Sequence, residues 1–188
     1  MFKSTGAYLK GHFRLTSGLH SPEYLQCAIV LQHPRKAEQL GTMLAGELKT
    51  AAGGCEIDVV ASPAIGGIIV AHEVARALGA RAVFAERDAE GKMVLRRGFS
   101  VSPGETAVVV EDVITTGGST REVIKAMRES GANVVAAGSI VDRSSGHVDV
   151  GVRRVALLTL SVVTYPPDNC PLCRQGIPIV KPGSRPGV

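Results

Sequence analysis

Glu111 and Asp112 stand side by side at the end of the apolar run Thr106-Ala-Val-Val-Val110, and the chain continues Val113-Ile114-Thr115-Thr116-Gly117-Gly118-Ser119-Thr120. Adjacent carboxylates repel, and they are better tolerated where they face a divalent cation or accept hydrogen bonds from a polyhydroxyl ligand. The hydroxyls and paired glycines before a helix supply a second function. Unpaired N–H groups at a helix start carry about half a positive charge, and glycines let the backbone close on a phosphate. Acids for ribose hydroxyls and a loop for a 5'-phosphate together describe a site for a sugar phosphate. A plainer reading is a turn at Gly117-Gly118 with Ser119 or Thr120 capping the helix. The position directly after a buried, acid-ended strand favours the anion site. The run is neither a Walker loop, since no Gly-Lys-Ser/Thr follows, nor a G-x-G-x-x-G fingerprint.

The elements that must position these residues follow from the hydrophobic pattern. Apolar, β-branched runs at 57–62, 81–86, 106–111, 133–142 and 155–164 predict strands, and 65–79 and 117–130 predict helices between them. In the second helix Val123, Ile124 and Met127 fall on one face, with Arg121, Glu122, Lys125, Arg128 and Glu129 mostly elsewhere. Continuous apolar strands separated by helices imply the α/β class: a doubly wound, mainly parallel sheet that places ligands at the carboxyl ends of its strands. An earlier helix, 34–52, follows His33-Pro34 and stops at Gly53-Gly54. The first 33 residues fit no βα unit and are expected to form a small hood over the sheet edge. The tail, 165–188, is rich in proline and glycine and is expected to be irregular. The whole chain, 1–188, reads as one domain.

Composition excludes several classes of function. The 188 residues are 45% hydrophobic, enough for a core without disulfides. No apolar run approaches the roughly 20 residues of a membrane span, and the start MFKSTGAYLKGHF lacks the apolar centre of a secretory signal, so a soluble cytoplasmic protein is expected. The net charge of +4 sits in the tail: three basic residues and no acids follow Cys170, which leaves 18 basic against 17 acidic residues before it. Such a body, with 4% aromatics and no Trp, does not suit a nucleic-acid binder.

VVVEDVITTGGS resembles the phosphoribosyl pyrophosphate (PRPP) signature of the type I phosphoribosyltransferases. Four further segments, FRLTSGLHSPEYLQ (13–26), SPAIGGIIVA (62–71), FAERDAEGKMVLRRGF (84–99) and IVDRSSG (140–146), resemble segments of the orotate phosphoribosyltransferases in the same order. With the tail CPLCRQGIPIVKPGSR, the resemblance covers nearly the whole chain and points to a shorter prokaryotic branch. It implies Mg2+-dependent transfer of ribose 5-phosphate from PRPP to orotate, in pyrimidine biosynthesis, by a homodimer with shared active sites. Glu111, Asp112, Val113, Ile114, Thr115, Thr116, Gly117, Gly118 and Ser119 would hold the ribose 5-phosphate. Ile65 and Gly66, in a strand-to-helix turn whose amides suit an anion, would meet the pyrophosphate. Arg87 and Lys92 lie in a charged stretch that reads by itself as a solvated hairpin; the resemblance makes it a mobile loop closing over the neighbouring subunit's site. Asp112 and Glu111 would stabilise positive charge on the ribose, with Lys92 as a loop cation and Mg2+ carried mainly by PRPP. Arg143, after the strand end at Val141-Asp142, would grip the orotate carboxylate, with Thr115 on the same base.

Departures from the family pattern fall at Thr16 and Gly66, where many members carry lysine, and at Tyr24 and Leu25, where many carry two aromatics. Two rival readings are a purine-base phosphoribosyltransferase and a PRPP-sensing regulator without catalysis. Of the remaining signals, His72-Glu73 begins an HExxH motif that Arg76 breaks, and His12, His20, His33 and His147 have no partner at ligand spacing. Cys170-Pro-Leu-Cys173 is half of a zinc knuckle, to be completed by a second chain's pair or left as a structural or weakly redox-active element.

Overall fold

Runs of valine and alanine cannot leave either sheet face to water, so they pack inside a sheet covered on both sides. The computed structural model describes residues 1–15 and 17–182, and Thr16 and the last six residues lie outside it. The chain divides into two compact units, His33–Leu160 and a second made of Met1–Gln32 with the chain from Ser161 onward.

In the larger unit, helix α2 (Pro34–Ala51) precedes β3 (Val59–Pro63), α3 (Gly67–Leu78), β4 (Arg81–Arg87), β5 (Met93–Leu95), β6 (Thr106–Ile114), α4 (Gly118–Glu129), β7 (Asn133–Asp142) and β8 (Arg153–Thr159). The six strands lie in the order β5-β4-β3-β6-β7-β8. All neighbours are parallel except β4 and β5, which form an antiparallel hairpin. The expected doubly wound α/β sheet is therefore present. Strand β6 outruns its expected end at 111 because β7 pairs with it as far as Ile114 and Asp142. Strand β8 stops at Thr159, short of 164, because its partner β7 ends at Asp142, the last residue that pairs with it.

Alternation along β6 decides the site. Ala107 and Val109 join Val59, Ala61, Val123, Ile124 and Met127 in one buried cluster, which identifies the α4 face of the sheet. Burying each valine, isoleucine or methionine of the cluster is worth about 1.5–3 kcal/mol. The intervening positions point to the opposite face, where Leu44 and Leu48 of α2 pack within 3.1 Å of where a Gly138 Cβ would sit.

In the smaller unit, β1 (Tyr8–Arg14) and β2 (His20–Leu25) form an antiparallel hairpin followed by the short helix α1 (Cys27–Leu31). The tail, which the sequence suggests is irregular, is tied to both hairpin strands. Phe13 bridges Val180 in parallel and His20 bridges Tyr165 in antiparallel fashion. After a 3-10 turn at Pro167–Asn169, helix α5 (Pro171–Arg174) follows. The expectation that His12 and His20 have no ligand partners fails here: both lie beside Cys170 and Cys173. Spacing along the chain does not reveal partners that only folding brings together. Among the described residues, no helix is long and apolar enough to cross a membrane.

Candidate active site

Glu111 and Asp112 occupy the carboxyl end of β6, and the alternation that buries Ala107 and Val109 sends them to opposite faces. Glu111 points toward the start of α4, where the buried Thr120 hydroxyl donates to its Oε2 at 2.5 Å. Asp112 points toward the start of α3: its Oδ1 lies 2.8 Å from where a Gly66 Cβ would sit and accepts the Val113 amide at 2.9 Å. The two carboxylates therefore face apart, because neighbours on a pleated strand diverge. Burial pushes the Glu111 carboxyl up to about 7; the adjacent Asp112 charge adds to the rise and the Thr120 hydrogen bond opposes it. Burial also raises the Asp112 carboxyl, against the hydrogen bond from the Val113 amide.

The loop after β6 carries Thr115 and Thr116, both exposed, into Gly117. Gly117 has φ +70°, and a Cβ there would stand 2.5 Å from Val148 Cγ1. Only glycine meets both conditions without strain. Arg121 holds the loop from within the helix, donating to the carbonyls of Thr116 and Asp149 at 2.8 Å each. Helix α4 starts with no side-chain cap. The plainer reading, Ser119 or Thr120 as a cap, is thus not what the chain does: the Thr120 hydroxyl goes to Glu111. The first N–H groups of α4, which have no acceptor within the helix, face the loop at its positive end.

The turn from β3 to α3 lies on the neighbouring strand. Its Ala64–Ile65 peptide is cis, Ile65 is 82% exposed, and Gly66 opens the helix with no side-chain cap. Any side chain at Gly66 would press on the Asp112 carboxylate within 3.0 Å. The absence of a lysine at this position is therefore matched to the rotamer that Asp112 adopts.

On the other side of β6, β7 ends at Asp142, and the chain turns through Arg143, whose amide donates to the Ile114 carbonyl at 2.8 Å. The buried Asp142 organises that turn. It accepts from the Ser144 amide and hydroxyl at 2.7 and 2.6 Å and pairs with Arg154 at 2.7 Å. Burial alone would raise its carboxyl, but the Ser144 and Arg154 contacts outweigh it and hold the group below its ordinary value. Thus the carboxyl ends of three adjacent strands, β3, β6 and β7, and the turns after them carry Ile65 and Gly66, residues 111–119, and Arg143.

Arg87 and Lys92 lie at the β4–β5 hairpin. Arg87 donates to Glu122 at 2.6 Å, and Lys92 pairs with Glu129 at 3.4 Å, both acids on the exposed side of α4. Sequence reasoning did not single out Thr120, Asp142 or Arg154 for these contacts. Strand parity puts Glu111 and Asp112 on opposite faces, but only the placement of α4 brings the Thr120 hydroxyl to Glu111. No local signal marks Arg154.

The pattern of the phosphoribosyl transferase domain matches residues 27–159. An orotate phosphoribosyltransferase of Pelotomaculum thermopropionicum is 62% identical over 185 residues, covering 98% of this chain and 95% of that protein. One of Desulforamulus reducens is 57% identical, covering 98% and 94%. Among solved structures, the orotate phosphoribosyltransferase from Aeropyrum pernix superposes with a TM-score of 0.67 at 28% identity, over 85% of this chain and 91% of that one.

Proposed function

The chain belongs to the orotate phosphoribosyltransferase family, and on that footing we propose that its active site transfers ribose 5-phosphate from PRPP to N1 of orotate. The products are orotidine 5'-phosphate and pyrophosphate, a step of pyrimidine biosynthesis in the cytoplasm. The observation that carries this reading is the arrangement around β6. Two acids diverge to either side of the strand, directly ahead of an uncapped helix start built on Gly117.

In this reading the amides of Gly117, Gly118 and Ser119, with the hydroxyls of Thr115, Thr116 and Ser119, cradle the 5'-phosphate. Val113 and Ile114 carry the backbone into that cradle. Asp112 and Glu111 accept the ribose hydroxyls, and their negative charge stabilises the positive charge that develops on the ribose as the bond to pyrophosphate lengthens. The amides at Ile65 and Gly66 face the pyrophosphate. Orotate is held through its carboxylate by the Arg143 guanidinium and through the base by Thr115, which lines N1 up with the ribose carbon.

Mg2+ would travel with the pyrophosphate oxygens and neutralise the leaving group. Glu111 and Asp112 diverge, so they do not suit a two-carboxylate cage for it. Arg87 and Lys92 are the loop cations of this reading. Their present partners are exposed, and such pairs are worth about 0–1 kcal/mol, so they exchange readily for a pyrophosphate. In the proposed homodimer that pyrophosphate sits in the neighbouring subunit.

The test follows orotate loss by absorbance with PRPP and Mg2+, with uracil, adenine, hypoxanthine and xanthine in parallel. Orotate alone is expected to be consumed, and Asp112→Asn is expected to lower kcat by about 100- to 1000-fold. Consumption of a purine base instead, or PRPP binding with no base consumed, would overturn the assignment.

A further inference from the structure

His12, His20, Cys170 and Cys173 take no part in the chemistry above, yet they meet within the smaller unit. One ligating atom from each lies within 4.8 Å of all the others. His12 is 2% exposed, His20 6% and Cys170 1%. Two imidazoles and a thiol buried together, with a second thiol at their rim, are costly unless every polar atom finds a partner.

The distances suit one tetrahedral ion. With Zn–N near 2.05 Å and Zn–S near 2.3 Å, tetrahedral geometry requires about 3.4 Å between two nitrogens and about 3.6 Å between nitrogen and sulfur. Here His12 Nε2 is 3.0 Å from His20 Nδ1, 3.5 Å from Cys170 Sγ and 3.7 Å from Cys173 Sγ, and Cys173 Sγ is 3.3 Å from His20 Nδ1. The three nitrogen–sulfur distances bracket the required 3.6 Å, and the one nitrogen–nitrogen distance is about 0.4 Å shorter than its required value.

The tautomer of His12 fits as well. Its Nδ1 lies 2.7 Å from the Ile177 carbonyl, which can only accept. Nδ1 therefore carries the proton, and the Nε2 lone pair points at the other three atoms. A ring nitrogen held by a backbone carbonyl is the usual outer support of a metal-bound histidine. A Cys2His2 tetrahedron selects zinc among the common divalent ions. Four protein ligands leave no open position, which makes the site structural and not catalytic.

We propose that His12, His20, Cys170 and Cys173 form a structural zinc site that fastens the tail to the N-terminal hairpin. The second pair of ligands that Cys170-Pro-Leu-Cys173 lacks in sequence comes from the same chain, 158 residues away between Cys170 and His12, so no second chain is needed. An isolated two-stranded hairpin is at best marginally stable. Among the described residues, two bridges, Phe13 with Val180 and His20 with Tyr165, join the strands to the tail by backbone pairing. Zinc binding to such a unit contributes directly to its folding.

The experiment uses untagged full-length protein purified without chelator. Elemental analysis is expected to give about one zinc per chain, and Cys173→Ser and His20→Asn are each expected to reduce this to below about 0.2. Wild-type protein supplies the readouts that survive a variant's failure to fold. Cys170 and Cys173 should resist alkylation until a strong chelator is added, and chelation should then expose the chain after residue 160 to protease while the 33–160 unit stays intact. Cobalt added to the stripped protein should produce the visible bands of a tetrahedral thiolate site. Less than about 0.2 zinc per chain after supplying zinc, unchanged alkylation on chelation, or a Cys170–Cys173 disulfide in fresh protein would each overturn the proposal.

Discussion

Replacing Glu111 by glutamine isolates one consequence of burying an acid at the end of β6. Glutamine keeps the shape and can still accept from Thr120, but it does not ionise. In the folded chain the Glu111 carboxyl is raised from 4.5 to about 7. Between those values the native state holds a proton that the unfolded chain has lost, so stability falls as pH rises through the window. Each pH unit inside it costs about 1.4 kcal/mol, and from about pH 5 to about pH 8 the group withdraws about 2.5 kcal/mol. Urea unfolding of wild type and Glu111→Gln at the two pH values measures this as a difference of differences, in which the other titrating groups largely cancel. Glu111→Gln is expected to gain about 2–3 kcal/mol on wild type between pH 5 and pH 8. A gap between the two proteins that stays the same at both pH values would refute the reasoning and place Glu111 in a hydrated setting. In the proposed reaction Glu111 keeps a negative charge where positive charge develops on the ribose, so the same substitution is expected to lower kcat while raising stability at alkaline pH.

Gly117→Ala is expected to destabilise the fold by about 2–4 kcal/mol in urea unfolding, from left-handed backbone strain and overpacking against Val148. A loss below about 1 kcal/mol would mean that the loop relaxes freely. Arg143→Ala is expected to raise the KM for orotate about 10- to 100-fold, equivalent to about 1.5–3 kcal/mol of charge-assisted hydrogen bonding. Steady-state kinetics should show the KM for PRPP nearly unchanged, and an equal rise in both would remove Arg143 from the base site.

The uncharged valine runs and the helix-period face of Val123, Ile124 and Met127 determined the layered sheet by themselves, because such strands fold only when both faces are covered. The acid-ended strand before TTGGS marked the strand-to-helix turn of the candidate site for a local reason: strand end, glycine turn and helix start are consecutive in the chain. Which way each acid faces was decided by the tertiary structure. Parity along β6 acquires meaning only once α4 and α3 occupy opposite faces and present Thr120 to Glu111 and Gly66 to Asp112. The ends of β6 and β8 depended likewise on how far the partner β7 runs. The Asp142–Arg154 pair joins two strands through side chains that carry no local signature. Distance along the chain concealed most at the cysteine pair. Its histidine neighbours are 150 or more residues away, and only the return of the tail to the N-terminal hairpin brings four ligating atoms within reach of one ion.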